Sequence, residues 1–188
     1  MNKSHVVIIR TLWGRFFPKD KFSVHDKRLD AISLFYDFFL DSSGSKLIDQ
    51  LDLANDNSSI YFDVGLLNDL LPFPDFMQTL QTQPNEVIGC FGLALSVLKT
   101  HKLSNNLAEP FCIWPRFQNF GTFDLPFGDL KSGTVGKLVS IKGYVVRAGP
   151  CKPLIEQGCF QCNKCLRNTW VSFEDGVFQP PDQCGTEK

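Results

Sequence analysis

Apolar residues recur along this chain with two different spacings, and the spacing changes near its middle. From Lys27 to Leu40, Leu29, Ile32, Tyr36 and Phe39 fall three or four positions apart, as on one face of an α-helix, and Phe35 and Phe38 widen that face. Asp26 stands where an N-cap belongs. A polar stretch from Asp41 to Ser59 follows, and then Ile60, Phe62 and Val64 alternate with Tyr61 and Asp63, which predicts a short strand. Pro72, Pro74 and Pro84 punctuate two further helices, a short one over 75–81 and a longer one from about 84 to 100. Pro84 suits the first turn of the longer helix, and Val87, Phe91, Ala94, Leu95 and Leu98 form its stripe. Core packing accounts for all of these stripes.

Lys102 to Pro110, rich in Asn, reads as a linker into a β-rich half. Beyond it, glycines at 128, 133, 136, 143, 149 and 158 separate short apolar runs such as Leu138–Ile141 and Tyr144–Arg147, the texture of a small, strongly curved barrel. At the other end, Val6–Ile9 is the only apolar run among the first ten residues, too short for a signal-peptide core, and no stretch approaches the roughly 20 residues of a membrane span. The expectation is a soluble, intracellular protein without membrane association, and the Asn57-Ser58-Ser59 sequon reads as a polar turn. His5, His25 and His101, far apart in sequence, read as surface or capping residues.

Charge changes the picture more than composition does. The 188 residues carry a net charge of only −1. Yet Leu125–Trp170 holds seven bases (Lys131, Lys137, Lys142, Arg147, Lys152, Lys164, Arg167) against two acids (Asp129, Glu156), a net of +5, which leaves −6 for the rest. A polyanion would bind the basic part. Within it, Val135–Arg147 reads as two strand segments on which bases and apolar residues share one curved surface. Oligonucleotide-binding barrels hold single strands with backbone-tracking bases and base-stacking aromatics, so Lys137, Lys142, Arg147 and Lys152 are candidate phosphate contacts. Tyr144, Phe160 and Trp114 are candidate stacking rings. Any one of them serves equally well as an ordinary surface lysine or buried aromatic; the set is what points to nucleic acid.

Four of the seven cysteines fall after residue 158. Cys162 and Cys165 form a two-residue knuckle whose thiolates can reach one tetrahedral ion, and Cys184, after 18 intervening residues, supplies a second arm. Between the arms, Trp170, Val171 and Phe173 alternate toward a turn at Glu174–Gly176 and Val177–Phe178 return, which predicts a β-hairpin joining the knuckles. Three unrelated buried cysteines are the alternative. Cys159 lies three residues before Cys162, an odd offset that on an extended strand puts the two side chains on opposite faces. The fourth ligand of this structural zinc site is therefore expected beyond residue 188. Catalysis has no support: Gly133–Lys137 would need Gly at 131 and Ser or Thr at 138 to be a phosphate loop, and Lys131 and Leu138 stand there.

Leu130-Lys131, Gly136–Gly143, Val145–Arg147, Lys152-Pro153-Leu154, the knuckle Cys162/Cys165, Asp175-Gly176, Pro180-Pro181 and Cys184 together resemble the N-terminal domain of the minichromosome maintenance (MCM) helicase family. Over the helical half the resemblance rests on Ile60–Val64 and Cys90–Ala94, the latter most like the eighth, recombination-associated branch. It implies an α+β fold: a helical N-terminal subdomain (1–104), the first part of an oligonucleotide-binding (OB) barrel (105–158) and a truncated zinc-binding hairpin (159–188). It further implies a DNA-binding and ring-assembly region of a helicase subunit in recombination, repair or replication. The partners would be single-stranded or forked DNA and other MCM subunits, among them the ninth paralogue, in the nucleus. The ATPase module and last barrel strands would follow residue 188, so this chain by itself is expected not to be an enzyme. The competing reading is a zinc-ribbon protein-interaction module without intrinsic DNA binding.

Overall fold

The computed structural model describes residues 3–48, 59–103, 110–155, 157–173 and 177–184. The chain divides into two compact units, 1–143 and 144–188.

Among the described residues of the first unit, six α-helices and a two-stranded sheet enclose one aromatic-rich core. α1 (Lys3–Phe16) was not expected. It forms because His5, Ile9, Leu12, Trp13 and Phe16 recur at helical spacing and are all buried, so the run Val6–Ile9 is part of an amphipathic helix. α2 (Arg28–Leu40) buries the expected stripe, and Asp26 Oδ1 accepts the Arg28 backbone N–H at 2.9 Å, satisfying one of the helix's free donors. Before it, the Arg28 guanidinium bridges Asp20 and Asp26, each at 2.7 Å, and lies 4.8 Å from the Trp13 ring centre and 4.4 Å from that of Phe17. That arrangement fixes the turn between α1 and α2.

α3 (Ser42–Ser45) is a single turn inside the polar stretch. β1 (Ser59–Asp63) buries Ile60 and Phe62 and exposes Tyr61, the predicted alternation. Val64 opens α4 (Val64–Leu70) instead of extending the strand, because the Asp63 carboxylate accepts the Leu66 N–H at 3.1 Å and starts a helix. α5 (Phe76–Thr82) and α6 (Pro84–Leu103) stand where proline punctuation placed them. Lys102 and Leu103 belong to α6, so the helix runs into the expected linker; residues 104–109 lie outside the described residues. α6 packs against α1, α2, α5 and β2 (Trp114–Gln118).

β2 pairs in parallel with β1, Ser59 opposite Trp114 and Asp63 opposite Gln118. Its approach is fixed by two hydroxyls of α6: buried Ser96 accepts the Ile113 N–H at 2.9 Å, and Thr100 accepts the Phe111 N–H at 3.1 Å. Phe91, fully buried, lies at the centre, with ring centres of Phe35, Phe39, Phe62 and Phe117 between 5.1 and 5.4 Å away.

The expected barrel strands over Val135–Arg147 are not observed as strands. Ser140 makes an isolated bridge to Asp124, its N–H and C=O bonding Phe123 O and Leu125 N at 2.9 and 2.8 Å, and no further ladder forms there. A strand is defined by its neighbour, and among the described residues Tyr144–Arg147 has none: Tyr144 is 99% exposed and Val146 97%. The fold class is α+β.

In the second unit, β3 (Gln157–Gln161) pairs antiparallel with β4 (Asn168–Ser172). This corrects the expected hairpin. The knuckle sits at the turn of a hairpin whose first strand precedes it, whereas Val177 and Phe178 form no strand; residues 174–176 lie outside the described residues. Phe160, Phe173 and Phe178 pack together beneath it, with ring centres 5.3–6.2 Å apart. That cluster, formed on one face only, is why β4 pairs backward with β3.

Candidate metal centre and nucleic-acid interface

The knuckle is built by backbone. Arg167 O accepts the Cys162 N–H at 3.0 Å and Cys162 O accepts the Leu166 N–H at 2.9 Å, closing a tight loop in which Leu166 takes a left-handed conformation (φ 56°). The Gln161 side-chain amide donates to Leu166 O at 3.2 Å and ties the loop to β3. This folding turns Cys162 and Cys165 toward each other, and Cys184 joins them: the three Sγ atoms all lie within 4.8 Å of one another.

Thiolates around a zinc ion at about 2.3 Å stand about 3.8 Å apart in a tetrahedron, and Cys165 and Cys184 Sγ are separated by 3.5 Å. The donor set and its spacing therefore fit a zinc ion. Cys159 is exposed and is not a member of the cluster. The Arg167 backbone N–H draws the Cys165 thiol pKa down, but the facing thiols of Cys184 and Cys162 outweigh it, and the net shift is upward. A cation among the three sulfurs would reverse that balance by favouring thiolates.

The candidate nucleic-acid contacts are placed as follows. In the first unit Lys137 is exposed, and Lys142, also exposed, is ion-paired with Asp124. The Lys142 ammonium and the Ser140 hydroxyl both bond the Asp124 carboxylate and lower its pKa. Any phosphate recruiting Lys142 must compete with that pair, which on an open surface is a weak one. In the second unit Tyr144, Arg147 and Lys152 are exposed along one segment without helix or strand and with no acid between them. Two of the proposed stacking rings are already engaged: Trp114 lies 4.5 Å from Phe16, centre to centre, and Phe160 belongs to the cluster beneath the hairpin.

His5 corrects a further expectation. It is buried, its ring 4.8 Å from Tyr36 and 5.4 Å from His101, and neither ring nitrogen has a hydrogen-bond partner. His25 and His101 are exposed, as expected.

Residues 126–188 match the family model described as the MCM OB domain. Along most of its length the chain is also similar to DNA helicases. It is 26% identical over 167 residues to the probable DNA helicase MCM8 of Arabidopsis thaliana, covering 88% of this chain and 21% of that protein. The match to DNA helicase MCM8 of Xenopus tropicalis is 26% over 200 residues, covering 92% and 22%. The chain thus spans about a fifth of the length of the curated relatives it matches. Its fold is like the crystal structure of the N-terminal domain of an archaeal MCM, with a TM-score of 0.62, 18% identity, and coverage of 85% of this chain and 63% of that one.

Sequence and fold together define the class: this is a chain resembling the MCM N-terminal domain, with the OB-domain match in its last third. Within that class the resemblance runs to MCM8, as the Cys90–Ala94 block led us to expect. Among the described residues no helix is long and apolar enough to cross a membrane.

Proposed function

We propose that this chain is the DNA-binding and ring-assembly N-terminal region of an MCM-type DNA helicase subunit that acts in the nucleus, in homologous recombination and DNA repair or in replication. The observation that carries the reading is the coincidence, within residues 126–188, of the OB-domain match, the exposed bases Lys137, Lys142, Arg147 and Lys152, and a three-thiol cluster at zinc-site spacing. Lys137, Lys142, Arg147 and Lys152 neutralise phosphates of single-stranded or forked DNA, and Tyr144, fully open to solvent, stacks on an unpaired base. Cys162, Cys165 and Cys184 hold the zinc, which when bound contributes folding free energy to the hairpin. Other MCM subunits, the ninth paralogue among them, are the assembly partners. The organisation 1–104, 105–158 and 159–188 into helical, barrel and zinc regions belongs to the same proposal. With no phosphate loop in the sequence, the chain alone hydrolyses no ATP.

The test is binding of a labelled single strand over a salt titration. Each neutralised phosphate releases about 0.7 counterions from a single strand, so K142E/R147E should weaken binding at low salt and flatten the salt slope by at least one unit. An undetectable interaction at low salt, or one indifferent to both reversals, would replace this reading with the zinc-ribbon protein-interaction module.

A further inference from the structure

The β3–β4 hairpin has two unlike faces. Gly158, Phe160, Thr169 and Val171 are partly covered and turn toward the phenylalanine cluster. The opposite row, Gln157, Cys159 and Gln161 on β3 with Asn168 and Trp170 on β4, is exposed throughout. Register places Trp170 directly across from Cys159 and Asn168 across from Gln161. Cross-strand neighbours of this kind stand about 5 Å apart, so the indole has Cys159 across from it, Asn168 beside it on its own strand, and Gln157 and Gln161 on the diagonals. Trp170 is 71% exposed, while Trp13 is 2% exposed and Trp114 lies against Phe16.

Trp170 thus offers an open aromatic face on which another ring can lie. The chemistry of the surroundings selects the cover. From Gln157 to Phe173 there is no acidic residue, and Lys164 and Arg167 stand at the knuckle end of the hairpin, so the element carries a charge of +2. Amides offer both donors and acceptors to the edge of a base, an indole offers a face to its ring, and the two cations suit its phosphates. A purely hydrophobic partner would desolvate Asn168 without offering it a hydrogen bond.

We propose that the outer face of the β3–β4 hairpin is a stacking platform for one unpaired nucleobase, with Trp170 beneath the base, Asn168 at its edge, and Lys164 and Arg167 on the adjoining phosphates. This rests on the DNA-binding reading above and adds a contact point separate from the residues named there. The backbone bonds that close the knuckle place Lys164 and Arg167 at the end of the platform, and a zinc ion held by Cys162, Cys165 and Cys184 would stiffen that end.

The test uses the full 188-residue chain with zinc added, an oligothymidylate labelled for anisotropy, and the intrinsic tryptophan fluorescence. Stacking on one base corresponds to about a 5- to 150-fold change in affinity. W170A and W170L should both weaken binding within that range, because Leu keeps the apolar bulk but has no π face, and W170F should stay near wild type. None of the three should change the salt slope, since none removes a phosphate contact. Saturating oligothymidylate should quench the wild-type fluorescence and shield it from acrylamide, and W170F should lose that response. Zinc content, measured for each variant, separates loss of stacking from collapse of the hairpin, which would change W170F as well. If the wild type binds, K142E/R147E weakens it, and W170A and W170L do not, the platform is wrong while the DNA-binding reading stands. If the wild type does not bind at low salt, both fall. W170A that keeps its DNA affinity but loses self-association in sedimentation assigns the face to a protein partner and overturns the proposal.

Discussion

The Sγ atoms of Cys165 and Cys184 lie 3.5 Å apart although the two residues are 19 positions apart in the chain. Cys184 sits in a segment with no helix or strand of its own, which this contact and the packing of Phe178 on Phe160 and Phe173 tie to the hairpin. Replacing Cys184 with Ser should therefore loosen its end and lower zinc affinity by at least about 100-fold, more than the 10- to 100-fold typical of losing a group behind a ligand. Cys162→Ser should do the same, and Cys159→Ser should leave zinc content unchanged. Metal analysis after dialysis against a weak chelator reads all three; zinc lost from the Cys159 variant alone would reassign the site.

Buried His5 makes stability depend on pH. Its pKa is lowered from the ordinary 6.5, first by burial and then by the facing His101, with Asp37 opposing weakly. Below pH 6.5 the unfolded chain takes up a proton that the folded chain refuses, so stability present above that value is lost as pH falls toward the lowered pKa. Urea midpoints between pH 7.5 and 5 should fall for the wild type and fall less for His5→Phe. Parallel curves would remove His5 from the account.

Truncating the ring at the centre of the core should be severe. Phe91→Ala removes a fully buried side chain touching four other aromatic rings, and large-to-small changes of this kind cost about 3–5 kcal/mol. Chemical denaturation is the measure, and a loss under about 1 kcal/mol would mean that α2 and β2 close the gap.

Gly92 on α6 faces the opposite problem. A methyl there would run into the Phe16 ring and come within 3.1 Å of the Ile113 carbonyl, which the Ser96 hydroxyl holds through the Ile113 N–H. Although Ala is the better helix former, Gly92→Ala should destabilise by about 1–3 kcal/mol, whereas Gly14→Ala, in a helix with open space around it, should stabilise. Thermal melts of the two variants should move in opposite directions.

The helices α2, α5 and α6 and the strand β1 were legible because each is specified by residues close in sequence. So was the thiol cluster: the two-residue gap of Cys162 and Cys165 is a local constraint, and Cys184 lies at ribbon distance. α1 was legible too, but only to a reading that follows His5, Ile9, Leu12, Trp13 and Phe16 together; taken as the run Val6–Ile9 it is too short to mean anything. What local spacing does not contain is partnership. Alternation in Val135–Arg147 satisfies the pattern of a strand without supplying a neighbour, and Trp170-Val171 alternates equally well whether it pairs forward or backward. The phenylalanine cluster decides that, through packing no window of the sequence displays. The parallel partnership of β1 with β2 spans three helices and is likewise invisible from either strand.

That partnership also sets a timetable for biosynthesis. β1 leaves the ribosome with Ile60 and Phe62 already committed to one face, yet its only described neighbour, β2, ends at Gln118. At about 5–20 residues per second, the interval from Asp63 to Gln118 lasts roughly 3–11 s. Throughout it the nascent chain presents an unpaired edge and the exposed flank of α6 that Cys112 and Ile113 will later cover. A chaperone that recognises extended apolar segments has its opportunity in that interval, and a pause in translation before residue 118 would prolong it.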